Sequence, residues 1–308
     1  MSWRISILDK SPIAEHETAA DALARTLALA QQAENLGYHR FWIAEHHNTP
    51  QLASPSPELL IAWILGQTSR IRVGSGGVML QHYSPYKVAE NFNVLAALAP
   101  GRVDLGVGKA PGGLPLSTRA LQQGLNQQEK GSFAEQLAQL DRWIRPEHQS
   151  TEEAVLATPL PPSPAQGFLL GASRESALLA ASLDWHFVFA AHLNGDPDLL
   201  REVIATWREN SVRDVIVAVQ GLSHRRRPKQ TRWHRRWKCG AWSWPTASAS
   251  RWPAKSRLTH SRVRQGVSRC ALRVGRNLCW RARRNPCLNT LTPSMKRGAL
   301  TNLLLIPR

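Results

Sequence analysis

Along its first 220 residues the chain alternates short apolar runs with longer stretches of helical periodicity. WRISIL, residues 3–8, reads as a first strand. In TAADALARTLALAQQAENLG the side chains Leu23, Leu27, Ala30, Ala33 and Leu36 recur about one helical turn apart, which predicts an amphipathic helix. Thr18 and Asp21 stand at capping-box spacing before it, and Gly37 suits its C-terminal stop. HRFWIAEHH then supplies a second strand. The unit repeats. Ser56-Pro57 and Ser84-Pro85 each offer an N-cap followed by proline at the first helical position, where the missing N–H costs nothing. Helices are predicted through ELLIAWILG and YKVAENFNVLAAL, with strands IRVGSGG (71–77) and RVDLGVG (102–108) between and after them. A Gln-rich stretch, a helix FAEQLAQLDRWI (133–144) and a Pro- and Glu-rich loop over 146–167 follow. Strands GFLLGAS (167–173), HFVFAAH (186–192) and DVIVAVQ (214–220) come next, separated by helices starting at Arg174 and Asp196.

Seven strand–helix alternations with near-continuous apolar strands are the pattern of a parallel sheet buried on both faces. That count favours an α/β fold of the (β/α)₈ TIM-barrel type, with an open doubly wound sheet as the alternative. Strands one to seven are recognisable. The eighth should fall beyond residue 221, where none is, so the barrel is expected to be incomplete. Such a barrel leaves strands one and seven with unpaired edges, which predicts poor solubility and no measurable turnover.

Composition explains why the pattern stops. The formal charge of +17 is not spread along the chain. Residues 1–220 carry 17 Lys and Arg against all 22 acids, whereas residues 221–308 carry 22 Lys and Arg and no acid. All four cysteines (Cys239, Cys270, Cys279 and Cys287) lie in that tail, every Phe and Tyr lies before it, and the tail holds six of the twelve Trp. The stretch LSHRRRPKQTRWHRRWKC (222–239) looks like an arm for nucleic acid, with cations for phosphates and indoles for bases. Net charge, however, speaks to non-specific association and not to a site, so a non-catalytic basic nucleic-acid-binding protein on a degenerate barrel stands only as the alternative to the readings that follow. A disordered basic arm fits poorly with six Trp. The favoured reading is a change of reading frame near residue 221, because the break falls inside a strand–helix unit and not at a linker. Residues 1–220 are therefore read as one domain, and 221–308 as a disordered or non-native tail. No run of eighteen apolar residues predicts a membrane span, and MSWRISILDKSP lacks a signal-peptide core, so the expected location is the cytoplasm.

In a parallel barrel, chemistry collects at the C-terminal ends of the strands. Found there are Asp9 and Lys10; Glu45, His46, His47 and Asn48; Gly74 to Gly77; Gly106 and Gly108 to Gly112; Ser173, Arg174 and Ser176; and His192 and Asn194. Glu45-His46-His47 offers an acid/base or a metal ligand, although adjacent strand residues point opposite ways and a metal usually needs three or four convergent donors. The glycines permit either close approach of a flat ligand or tight turns. Lys109, with Ser173 and Ser176 opening a later helix, suits a phosphate.

Taken in order, GYHRFWIAEHHN, IRVGSGGVML, SPYKVAENFNVLAALAPGRVDLGVGKAPGG and FLLGASRESA resemble the bacterial luciferase-like monooxygenase family over residues 3–220. The resemblance implies a (β/α)₈ barrel and an oxidoreductase that uses reduced FMN and O₂ to oxygenate a small organic substrate. Coenzyme F420 is the cofactor of one branch. It also implies a flavin reductase as supplier of reduced FMN, and a homo- or hetero-dimer. His46 matches the active-site histidine, an acid or base near the flavin. Gly76 and Gly77 match the pair beside the flavin ring, often joined by a non-prolyl cis peptide. Lys109 stands where luciferase has an arginine near the FMN phosphate, and Ser173 and Ser176 match further phosphate ligands. No metal is implied. Gly108 replaces luciferase's reactive-site cysteine, so the non-luminescent branch is the nearer match.

Overall fold

The computed structural model describes residues 3–145, 155–193, 195–221 and 301–307. In chain order the elements are β1 (Trp3–Asp9), α1 (Ala19–Asn35), β2 (Arg40–Ile43), α2 (Pro57–Gly66), β3 (Arg72–Ser75), the two-residue β4 (Val78–Met79), a 3₁₀ turn (Leu80–His82), α3 (Pro85–Leu98), β5 (Val103–Gly108), α4 (Pro115–Leu121), α5 (Phe133–Ile144), β6 (Gln166–Gly171), α6 (Arg174–Ser182), β7 (His186–Phe189), α7 (Pro197–Asn210), β8 (Ile216–Gly221) and β9 (Thr301–Pro307).

Local chemistry sets the helix starts. The Thr18 hydroxyl accepts from Asp21 N at 3.2 Å while Asp21 accepts from Thr18 N at 2.9 Å, the reciprocal pair expected from the spacing. Ser132 and Glu135 form a second capping box at α5. Pro57 and Pro85 open α2 and α3 as expected, but the Ser56 and Ser84 side chains make no capping hydrogen bond. The expected roles of these two serines are therefore corrected, and proline's fixed φ carries the start. α4, opened by Pro115, was not anticipated within the Gln-rich stretch.

β1, β2, β3, β5, β6, β7 and β8 pair in parallel in that order, and β3 pairs with β5 through Val73–Val103 and Gly74–Asp104. These are the seven expected barrel strands; the short β4 adds a parallel pairing to β5 beyond β3 (Val78–Val107, Met79–Gly108), and no parallel strand stands between β8 and β1 among the described residues. The edges of β1 and β8 are nevertheless paired, contrary to the expectation of open edges. β9 runs antiparallel to both, from Trp3–Pro307 to Leu8–Asn302 on one side and from Val217–Leu305 to Gly221–Thr301 on the other. Backbone donors that would otherwise face an open slot are satisfied along the whole seam. The rest of the basic tail, 222–300, with its four cysteines, lies outside the described residues.

Two apolar cores follow from the alternation of strand side chains. Leu8, Trp42, Ala44, Phe168, Val188, Ile216 and Ala218 come from strands or the residue after one, with no helix among them, and fill the barrel. Phe41, Ile43, Val73, Val103, Leu105 and their neighbours point outward and pack against the helices. Near the N-terminal end of the barrel lies one buried charge cluster. The fully buried Asp104 accepts from Arg40 Nε at 2.9 Å, Trp42 Nε1 at 2.9 Å, Arg72 Nε at 2.9 Å and Arg72 Nη2 at 2.6 Å. Arg40 also lies over the Phe168 ring, 5.1 Å from its centroid.

Removing one partner of such a cluster leaves buried charge uncompensated. Asp104→Ala is expected to destabilise the fold by about 3–5 kcal/mol, read as a fall in the urea midpoint. An unchanged midpoint would show the cluster to be incidental. Deleting residues 301–308 is expected to expose the β1 and β8 edges and raise the aggregated fraction in sedimentation against the full chain, and equal fractions would contradict the seam's role.

Candidate active site at the barrel mouth

At the C-terminal end of β2 the strand direction divides three consecutive side chains between two environments. Glu45 and His47 point together into a buried network. His47 Nε2 lies 2.6 Å from Glu45 Oε1, the Tyr83 hydroxyl donates to the same oxygen at 2.8 Å, and Met79 N donates to Glu45 Oε2 at 3.0 Å. Burial, with Glu45 beside it, pushes the Tyr83 phenol well above its ordinary value, so it is a fixed donor. His47 N donates to Gly112 O at 2.8 Å. The loop after β5 lies so close to His47 that a Cβ at Gly113 would stand 2.8 Å from the His47 carbonyl oxygen. Gly112, at φ 62°, makes the turn that brings it there. Gly112 and Gly113, at the end of the GKAPGG run, are thus explained by contact with the EHH segment. A second histidine braces the same loop. His82 Nε2 lies 2.7 Å from Pro111 O, which only accepts, so Nδ1 accepts from Gln122 Nε2 at 3.0 Å.

His46 points the other way. Its backbone N–H donates to Ser54 O at 3.1 Å, but its Nδ1 is buried with no hydrogen-bond partner. Burial first, then Lys10, His47 and His192, hold its imidazole down at about pKa 4. Unlike a histidine in water, which titrates near neutrality, this ring is neutral across the physiological range.

The other expected site residues fall into two groups. Gly76 and Gly77 follow β3, one strand from His46, with Gly76 N donating to Ile43 O at 2.8 Å, and the peptide between them is cis. A Cβ on Gly76 would lie 2.5 Å from Leu8 Cδ1, and one on Gly77 2.8 Å from the Gly106 backbone. The closeness these glycines permit is thus first to the barrel's own strands. Lys109, exposed at the end of β5, acts electrostatically on Glu175 in the first turn of α6. That turn begins at Ser173, whose hydroxyl accepts from Ser176 N at 3.3 Å and lies 3.3 Å from the Ser176 hydroxyl. Lys109 thus lies within electrostatic reach of the first turn of α6, which Ser173 and Ser176 open. Asn194 lies outside the described residues. Tyr83, His82 and Gln122 were not singled out in the sequence. No spacing marks them, and only the fold brings them to β2.

A family model described as luciferase-like monooxygenase matches residues 3–264. The N-acetyl-S-alkylcysteine monooxygenase of Bacillus subtilis (strain 168) is 52% identical over 201 residues, covering 65% of this chain and 60% of its own length. The structure of apo-MsnO8 is similar with a TM-score of 0.60 at 39% identity, over 67% of this chain and 60% of that one. A type II Baeyer–Villiger monooxygenase component from the CAM plasmid of Pseudomonas putida shares the fold, with a TM-score of 0.54 at 19% identity over 69% of this chain and 63% of that one. The chain spans about 60% of the length of the curated relatives it matches.

Four partly buried histidines, His39, His46, His186 and His192, are each held down at about 4, chiefly by loss of solvent. Between that value and the ordinary 6.5 the native state binds fewer protons than the unfolded chain. Their contribution to stability is complete above about pH 6.5 and lost as pH falls through the folded values. The urea midpoint is therefore expected to drop steadily from pH 7 to pH 5, and a flat profile would contradict the burial of these rings.

Proposed function

The chain belongs to the luciferase-like monooxygenase family, and on that footing we propose that residues 3–220 carry a flavin-dependent site that uses reduced FMN and O₂ to oxygenate a small organic substrate. The observation that carries the reading is His46. Its imidazole is partly buried and neutral, with a buried, unpartnered Nδ1, at the barrel mouth one strand from Gly76 and Gly77. An orphaned buried nitrogen in that position is a group prepared for a ligand and not for the fold.

The residues present fit FMN. Lys109, the Ser173 and Ser176 hydroxyls and the first N–H groups of α6 would hold its phosphate, with lysine acting as a point charge and not a fork. Bound there, reduced FMN supplies the electrons for reducing O₂. His46 holds or accepts a proton at Nδ1, beside whatever is bound in the mouth. Glu45, His47 and Tyr83 fix the end of β2, and with it the His46 backbone, so that the imidazole does not have to be ordered during turnover. A separate flavin reductase supplies the reduced cofactor. The relative at 52% identity acts on N-acetyl-S-alkylcysteine, which makes a small thioether of that kind the first substrate to assay. Dimerisation is supported by an exposed apolar stripe, Leu59 and Trp63 on α2 with Val94 and Leu98 on the neighbouring α3.

Two substitutions test the reading. Lys109→Ala is expected to weaken FMN binding about tenfold to a hundredfold, the loss of one charge-assisted hydrogen bond. His46→Asn is expected to leave FMN affinity unchanged and to lower O₂-dependent product formation by roughly 10²–10⁴. Anaerobic fluorescence titration and a reductase-coupled assay read the two. Binding of F420 in place of FMN would overturn the cofactor assignment.

A further inference from the structure

The loop between β5 and α4 carries Lys109, and hydrogen bonds from two other parts of the barrel mouth hold it. From the end of β2, His47 N donates to Gly112 O at 2.8 Å. From the 3₁₀ turn after β4, the buried His82 donates through Nε2 to Pro111 O at 2.7 Å. Acceptors fix the state of that ring. Gln122, the C-cap of α4, turns its Nε2 to Gln81 O at 3.1 Å as well as to His82 Nδ1 at 3.0 Å, and its Oε1 accepts from Gln127 Nε2 at 3.3 Å. A carbonyl oxygen only accepts, so turning the amide round would set Oε1 against Gln81 O. His82 consequently presents a lone pair at Nδ1 and its proton at Nε2, and one chain of bonds runs from Gln127 to Pro111.

That chain of bonds ends two residues from Lys109. On one side of Lys109, Gly108 is the last residue of β5 and is paired to Met79 and to Leu170. On the other, Ala110 is restricted toward extended backbone by the proline after it, and Pro111 has its φ fixed by its ring. Few free backbone torsions therefore separate the Lys109 Cα from the carbonyl that His82 holds. Beyond Pro111 the loop is tight, since a Cβ on Gly112 would lie 2.8 Å from Met79 Cγ and one on Gly113 2.4 Å from Ser117 Oγ. Lys109 itself is exposed, so its side chain takes its starting point from the backbone beneath it. Both nitrogens of a buried ring are thus spent on one short loop and the helix after it, in a space that an apolar side chain could fill without them.

We propose that His82 is a positioning residue for the cofactor: by holding the Pro111 carbonyl it fixes the backbone under Lys109, and so sets how well that ammonium group meets the phosphate of FMN. The inference rests on the flavin reading, and it adds a residue that acts through Lys109 and not by contact with the phosphate. Gln122 belongs to the same device, because it holds His82 in the tautomer that donates to Pro111.

The test uses the full chain. FMN affinity is read by anaerobic fluorescence titration, loop opening by hydrogen exchange across residues 109–114, and global stability by the urea midpoint. His82→Phe keeps a ring and removes both nitrogens. It is expected to weaken FMN binding about threefold to tenfold and to speed exchange in the loop. His82→Gln, which restores a donor and an acceptor, is expected to recover most of the loss. In a Lys109→Ala background His82→Phe is expected to change FMN affinity by less than about twofold, because a residue acting through Lys109 has nothing left to place. Equal losses in the two backgrounds, no loss in either, or loop exchange that His82→Phe leaves unchanged would each overturn the proposal. Should His82→Phe also lower the urea midpoint, Gln122→Leu decides, since it leaves the ring in place. The proposal then stands only if Gln122→Leu weakens FMN binding and the weakening vanishes without Lys109. If Lys109→Ala weakens FMN binding and His82→Phe does not, the flavin reading survives and the role of His82 fails. If the unsubstituted chain binds no FMN, the flavin reading fails and takes this role with it.

Discussion

A carboxylate with no access to water, that of Asp104, holds two guanidinium groups and an indole N–H from β2 and β3, and the closed sheet depends on it. β3 and β5 share only two paired positions, and one of them is Gly74 opposite Asp104 itself. The strands approach so closely there that a Cβ on Gly74 would lie 2.2 Å from the Asp104 carbonyl oxygen. A ladder this short cannot hold a register through backbone bonds alone. The charge cluster supplies the missing specificity, since sliding either strand would strand a buried guanidinium. With β3 fixed against β5, Ser75 can bridge across, its hydroxyl donating to Gly106 O at 2.7 Å and accepting from Gly106 N at 3.0 Å. The Gly76–Gly77 turn above it is placed by the same contacts.

The two ends of the barrel handle charge oppositely. At the N-terminal end Arg40 and Arg72 are matched by Asp104, and Arg213 by Asp184, so the polar groups there are mostly spent on structure. At the C-terminal end Glu45 is committed to His47, Tyr83 and Met79 N, while the Nδ1 atoms of His46 and His192 have no hydrogen-bond partner. This asymmetry is the physical form of a division between an end that stabilises and an end that reacts. Burial is the first cause of the neutral imidazoles at both ends, in His39 and His186 near Asp104 as in His46 and His192 at the mouth.

Much of this was legible in the sequence. Short, mostly apolar runs such as FWI and LGVG read as buried strands, and proline after serine placed the starts of α2 and α3. The EHH triplet was recognisable as a strand end. What escaped were relations between distant residues. Asp104 in the middle of an apolar strand carries no local signal of its two arginines, which lie 64 and 32 positions away. The partners of Glu45 at Tyr83, and of His82 at Gln122, are equally a product of the fold. The depressed state of His46 was also hidden, because a histidine's ordinary titration says nothing about how deeply the barrel buries it. Strand ends were overestimated: HRFWIAEHH is paired only over Arg40–Ile43, since the polar residues beyond leave the sheet to build the mouth.

The antiparallel β9 has a consequence for how the molecule is made. Its partners β1 and β8 are complete by residue 221, but β9 begins 80 positions later, at Thr301. Bringing together strands so far apart in sequence costs entropy that must be met before their pairing is gained. During synthesis at about 5–20 residues per second, the seam therefore stays open for several seconds after the seven parallel strands have left the ribosome. In that interval the nascent barrel presents two bare strand edges to every neighbouring chain, and a chaperone that covers them would decide how much protein survives to close.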